Sequence, residues 1–136
     1  MTELDSDGSL ASSRRLAQHR GPAHKLALLP DEPHCLLSGG EDGAVLLVDV
    51  RENGREAANK ILSCKDDRDR TLAIYSVDAS DRDGGRTFCT SGRDKYVRVY
   101  DRRNAAEAVK KYCPHHIVSF LDLLIMIFVI FFVDLG

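Results

Sequence analysis

Two stretches of this chain are versions of one another. Residues 36–51 (LLSGGEDGAVLLVDVR) superimpose on residues 88–103 (FCTSGRDKYVRVYDRR) at an offset of 52, with Gly40/Gly92, Asp42/Asp94, Val45/Val97, Asp49/Asp101 and Arg51/Arg103 identical. Ser38 and Thr90, both small hydroxyl residues, also coincide. A repeat of this period is one supersecondary unit that cannot bury its apolar face alone and must stack on a neighbour. With 136 residues the chain has room for one modest domain or part of a larger one, so two such units account for most of it.

Each unit reads as strand, loop, strand, tight turn, strand. Leu26, Ala27 and Leu28 form a short apolar strand that Pro30 must end, since proline has no N–H to give. Residues 35–38 make the second strand. Glu41-Asp42-Gly43 is a hairpin signal, because Asp accepts backbone N–H groups and the Gly that follows has no side chain to clash. Residues 44–49 make the third strand, with Val45 and Leu47 on one face and Leu46 and Val48 on the other, so both faces must be covered. In the second unit residues 72–77, 87–91 and 96–101 take the same parts around Arg93-Asp94-Lys95, and residues 59–64 are an outer fourth strand between the units. The expected fold class is all-β.

Charge and cysteine usage exclude several functions. Nineteen Lys and Arg stand against 21 Asp and Glu, and a net charge of -2 supplies no general field for phosphate backbones, so nucleic acid is not an expected partner. Cys35, Cys64, Cys89 and Cys113 include no close pair of the kind that clamps zinc, and neither metal nor cofactor is expected. The acidic N-terminus lacks the basic patch and apolar run of a secretory signal, which predicts reduced thiols in the cytoplasm or nucleus. No nucleophile pattern accompanies any His, and Asp66, Asp67 and Asp69 are interleaved with Arg68 and Arg70 rather than arranged as a calcium loop, so no enzyme is expected. The mixed-sign connector, residues 51–70, reads as a solvated edge without function.

The repeat resembles WD repeats, the four-stranded blades of β-propellers. In that family a His before the first strand, a Ser or Thr in the second, an Asp in the following turn and a Trp in the third form a hydrogen-bonded relay. The resemblance places His19, Ser38 and Asp42 in the first relay, with Val48 where Trp is usual, and Thr90, Asp94 and Tyr100 in the second, with no His ahead of Leu72. Residues 15–28, 92–101 and 110–116 are more closely similar to the cullin-4-associated WD-repeat family, whose members act as substrate receptors of cullin-4 RING ubiquitin ligases. That family's propeller has about seven blades, so the resemblance implies an incomplete propeller of about two. Residues 1–18 are then the end of a preceding blade or a linker, 19–64 one blade, 65–116 a second, and 117–136 a hydrophobic tail outside the family pattern.

Asp-x-Arg closes both third strands, as Asp49-Val50-Arg51 and Asp101-Arg102-Arg103. Residues two apart on a strand face the same way, so each Asp can hold its Arg and present a planar guanidinium at the rim. The resemblance implies that Asp49, Arg51, Asp101 and Arg103 dock to the ligase's adaptor, with a protein substrate of unknown identity as the other partner. Cys113-Pro114-His115-His116 reads as a loop rather than a metal site, because adjacent His side chains on an extended strand point apart. Every Lys, Arg and His precedes Ile117, and the stretch 117–133 carries a single charge, Asp122. As a helix it would reach about 25 Å against a hydrocarbon core of about 30 Å. A membrane anchor flanked by Lys110 and Lys111 is therefore the less favoured reading, and an extension unrelated to the family the favoured one.

Overall fold

The structure, a computed structural model, describes residues 2–4, 10–13, 15–94 and 96–112. Strands β1 (Thr2–Leu4) and β2 (Leu10–Ser13) pair as an antiparallel ribbon. β3 (Ala23–Leu29), β4 (Glu32–Gly40), β5 (Ala44–Asp49) and β6 (Ala58–Ser63) form one four-stranded antiparallel sheet in chain order. β7 (Ile74–Ala79), β8 (Thr87–Gly92), β9 (Val97–Asp101) and β10 (Lys110–Tyr112) form a second sheet of the same topology. The fold is all-β and propeller-like, two meanders packed face to face. The tail and the Cys113 to His116 loop lie outside the described residues, among which no helix is long and apolar enough to cross a membrane.

The first meander is longer at its start than the residue pattern predicts. β3 extends to Leu29 and turns through Pro30 and Asp31 directly into β4, with Leu29 opposite Glu32. Pro33 is tolerated because the register slips between Leu28 and Leu29, so it falls in the bulge and takes no ladder bond. The Glu41-Asp42-Gly43 turn closes as expected, with Gly43 at φ 75°. A Cβ there would lie 2.9 Å from the carbonyl oxygens of Cys64 and Leu72, so close approach and backbone conformation both demand glycine.

In the second sheet the expected strand 72–77 begins two residues later and ends at Ala79. Leu72 and Ala73 are engaged outside the ladder: the Leu72 N–H donates to Cys64 O, and Ala73 O accepts from the Arg93 N–H. β10, which the apolar pattern does not announce, is a short polar edge held partly by Lys111, whose Nζ lies 4.0 Å above the Tyr96 ring.

The core lies between the sheets. Leu29, Leu37 and Val45 of the first meet Ile74, Val77, Ala79 and Phe88 of the second, and Phe88 stacks on Tyr100 with ring centroids 5.4 Å apart. Fully burying each large side chain contributes about 1.5–3 kcal/mol, which makes this shared layer the main stabilising feature. Leu26 lies opposite Ser38 as Val77 lies opposite Thr90, so Leu26 and Leu28 hold the positions of Val77 and Ala79. Val77 and Ala79 are buried against the first sheet, whereas Leu26 is 58% and Leu28 75% exposed on that sheet's far face. There, among the described residues, Leu16 and Ala17 pack with Leu36 and Ala58 against Ala44, Leu46 and Val48.

Candidate functional site

The two Asp-x-Arg boxes fold identically. Asp49 ends β5 and Asp101 ends β9, opposite Cys35 and Thr87 respectively. The middle residue of each box donates its N–H back across the hairpin, Val50 to His34 O and Arg102 to Arg86 O, at 2.9 and 2.7 Å. That turn brings the Arg back over its own Asp. Arg51 donates to Asp49 Oδ1 from its backbone N–H (2.9 Å) and Nε (3.2 Å), and to Oδ2 from Nη2 (2.9 Å). Arg103 repeats this on Asp101 at 2.9, 3.1 and 2.8 Å. The Arg side chains are 62% and 69% exposed, and the Nη1 end of each fork points away from the bonds that hold it.

These bonds set the electrostatics. The Arg51 guanidinium, and next its backbone N–H, hold the Asp49 carboxyl at about 2, and Arg103 does the same to Asp101. The Arg pKa values rise in return, chiefly through the same side-chain bonds. Each box is therefore a fixed ion pair carrying a planar donor whose orientation is set before any partner arrives, which lowers the ordering cost of binding.

One cluster near the first box has metal-ligand chemistry: donor atoms of His34, Cys35 and Asp49 lie within 4.8 Å of one another. Both Asp49 oxygens are already taken by Arg51. Burial, and then the Asp49 and Glu32 carboxylates, push the Cys35 thiol up and away from the thiolate a metal needs. In the second unit the positions of His34 and Cys35 hold Arg86 and Thr87, so the ligand set does not recur with the box.

At the opposite rim the first relay closes through His19. Its Nδ1 lies 2.9 Å from Asp42 Oδ1 and its Nε2 2.8 Å from Ser38 Oγ. A carboxylate only accepts, so Nδ1 carries the proton towards Asp42 and Nε2 accepts from the Ser38 hydroxyl in the neutral ring. Burial acts to raise the Asp42 carboxyl, but the N–H of Arg20, the His19 ring and the N–H of Ala44 outweigh it and hold the carboxyl below its usual value. The Ser-His-Asp order is that of serine hydrolases, and Ser38 and His19 line an open groove of about 1030 Å³ with Leu16, Leu26 and Val48 at its apolar walls, while Asp42 bonds the far side of the ring. A serine nucleophile also needs donors for an oxyanion. Ser38 sits mid-strand between Leu26 and Leu46, where backbone N–H groups are committed to the two ladders.

The second unit does not form one relay. Asp94 is gripped by Arg98, with Nη2 2.6 Å from Oδ2 and Nη1 3.2 Å from Oδ1, while the Tyr100 hydroxyl bonds Thr90 and Cys64. Burial, with the Cys64 thiol next, pushes Tyr100 up to about 12. Arg98 and Cys64 are the residues that sequence reasoning missed. Their signal was a lone cation at the position of Leu46 in an otherwise apolar strand, and a Cys at the end of an outer strand.

Ion pairs join the sheets at both rims. Arg93 Nη2 meets Glu41 Oε1 at 3.1 Å, beside His24 (Nε2 2.6 Å from Glu41 Oε2) and Tyr75, which also bonds Arg93. Arg102 pairs with Glu32 on the Asp-x-Arg rim. Cys35, Cys64 and Cys89 are buried free thiols. No family model matches the chain.

Proposed function

We propose that the chain is a non-enzymatic substrate-receptor or scaffold subunit of a cullin-4 RING ubiquitin ligase, built from WD repeats and docking to the ligase adaptor through Arg51 and Arg103. The observation that carries this reading is the duplicated rim: two Asp-held guanidinium forks, at the same strand end of neighbouring sheets, with matching bonds to within 0.1 Å. A partner that presents carboxylate or carbonyl groups at a matching spacing would meet both without reordering either. The commitment of His19 to Asp42 and Ser38 supports a structural rather than a catalytic role for the buried polar groups.

A general WD-repeat scaffold without a ligase link is the second reading. It is favoured by the three bonds that each Arg already makes to its own Asp, which brace the strand end with no partner present. Co-purification separates the two: the tagged chain is expected to retain the cullin-4 adaptor, and a chain that is folded yet captures none of it belongs to the general scaffold class.

A further inference from the structure

The second sheet is closed on a face that the first sheet does not reach. Val77, Ala79, Phe88 and Tyr100 point into the shared core, and alternation turns Ser76, Cys89, Ser91, Val97 and Val99 the other way. In the first sheet the equivalents of Cys89, Val97 and Val99 are Leu37, Val45 and Leu47, the residues that receive the second sheet. The far face of the second sheet is thus built to receive a further layer. Cys89 and Val97 are 0% and Val99 2% exposed, yet none of the three belongs to the shared core or to the cluster on the first sheet's far face. Ser76 and Ser91, opposite one another in the β7/β8 ladder, are buried with hydroxyls that have no hydrogen-bond partner. An occupant rich in donors and acceptors would have satisfied them.

We propose that this face is the docking surface for the chain's own apolar stretch, residues 117–133, which takes the place of a next sheet. The stretch begins five residues after β10, the outermost strand of the same sheet. It offers eleven unbroken apolar residues, 123–133, and one charge, Asp122, the composition that a face with two unpaired hydroxyls calls for. Four strands at about 4.8 Å spacing are about 14 Å wide. Eleven residues cover about 16 Å even when helical, so reach is sufficient. The inference is independent of adaptor docking, because the Asp-x-Arg rim lies at the strand ends and not on this face.

Thiol protection in the full chain tests it. The reduced protein is pulsed with N-ethylmaleimide and mapped by mass spectrometry. Cys89 is expected to be protected together with Cys35 and Cys64, and Phe128→Asp to speed Cys89 labelling at least about tenfold while the two core thiols stay protected. Cys89 reacting as an exposed thiol in the unaltered chain, or staying protected in a chain lacking residues 117–136, overturns the proposal. Where a variant opens all three thiols together, oxidative cross-linking decides. Cys35, Cys64 and Cys113 are replaced by Ala, and Leu124→Cys, Met126→Cys and Phe128→Cys are introduced one at a time. An intramolecular disulfide to Cys89 from at least one position supports the docked tail. Disulfides only between chains would assign the face to a second copy. Partition into phosphatidylcholine vesicles with Cys89 reactive would assign the tail to a membrane, and either result, or no disulfide at all, overturns the proposal.

Discussion

Glu41 and Arg93 hold the same position in the two repeats and are bonded to each other across the sheet interface, Arg93 Nη2 donating to Glu41 Oε1 over 3.1 Å. At the other rim Glu32 pairs with Arg102 across the same interface, from positions that are not equivalent in the repeat, since Arg102 corresponds to Val50. Each pair takes its acid from the first sheet and its base from the second. Opposite signs at equivalent positions give the stack a direction, because two copies of the first sheet would set Glu against Glu.

The Glu41–Arg93 pair is 35% and 61% exposed, so its strength is limited by solvent. A double-mutant cycle with Glu41→Ala and Arg93→Ala, read from urea midpoints, is expected to give a small favourable coupling that salt weakens. Arg93→Glu should cost more than Arg93→Ala, since it adds repulsion to the loss. Equal costs would show that the pair does not orient the sheets.

The two relays predict unequal penalties. His19 is 3% exposed in its side chain and serves both Asp42 and Ser38, so His19→Ala takes one partner from a partly buried carboxylate and one from a buried hydroxyl and should cost about 1–3 kcal/mol. Tyr100→Phe keeps the ring stacked on Phe88 and loses only neutral hydrogen bonds, for about 1 kcal/mol. Thermal melts of both variants check the order. A serine-directed fluorophosphonate is expected to leave Ser38 unlabelled, and labelling there would overturn the non-enzymatic reading.

Much of this arrangement was legible in the chain because it is local and repeated. The identity of Gly40 and Gly92 marks one such place: a Cβ at Gly92 would stand 1.9 Å from Ala73 O, and one at Gly40 2.6 Å from His19 Nδ1. The hairpin turn and the Asp-x-Arg boxes rest on residues a few positions apart or one repeat apart, whereas the first relay, with His19 lying 19 and 23 positions from Ser38 and Asp42, was legible only through the family pattern. The start of β7 was not legible, because Leu72 and Ala73 look like strand residues and their backbone groups bond Cys64 and Arg93 instead. The bulge that admits Pro33 into β4 depends on the pairing partner, which no local pattern carries. Asp94 was expected in a relay with Thr90 and is held by Arg98, a residue that replaces Leu46 of the first unit and brings its own cation to the site that lacks a His.

The glycine geometry makes its own prediction. At Gly92 the obstacle is a backbone carbonyl, which cannot swing aside, whereas at Gly40 it is a side-chain ring. Gly92→Ala should therefore destabilise by about 2–3 kcal/mol and exceed Gly40→Ala, as read from denaturant midpoints. The reverse order would contradict the packing described.

The Asp-x-Arg boxes have a defined acid response. The carboxyls of Asp49 and Asp101 titrate at about 2 in the folded chain, against about 3.9 unfolded. Folded values that lie below the unfolded ones contribute stability that is complete above the unfolded value and drains as pH falls towards 2. Carboxyl carbon shifts followed by NMR should show both residues titrating near 2, and Arg51→Ala should return Asp49 towards 3.9 while leaving Asp101 in place. An Asp49 that titrates normally in the unaltered protein would dissolve the pre-oriented fork.

The most direct measurement is the affinity of the purified cullin-4 adaptor for the chain with and without Arg51→Ala and Arg103→Ala, taken beside the melting temperature of each. Truncating anchors that bond across a desolvated interface costs about 2–4 kcal/mol, so affinity is expected to fall by a factor of about 30 or more while the melting temperature moves little. Lys at both positions should rescue poorly, because a point charge cannot reproduce the planar fork. Unchanged affinity in the double variant would contradict the docking role, and a loss that only follows the loss of folding would leave the two arginines as braces of their own strands.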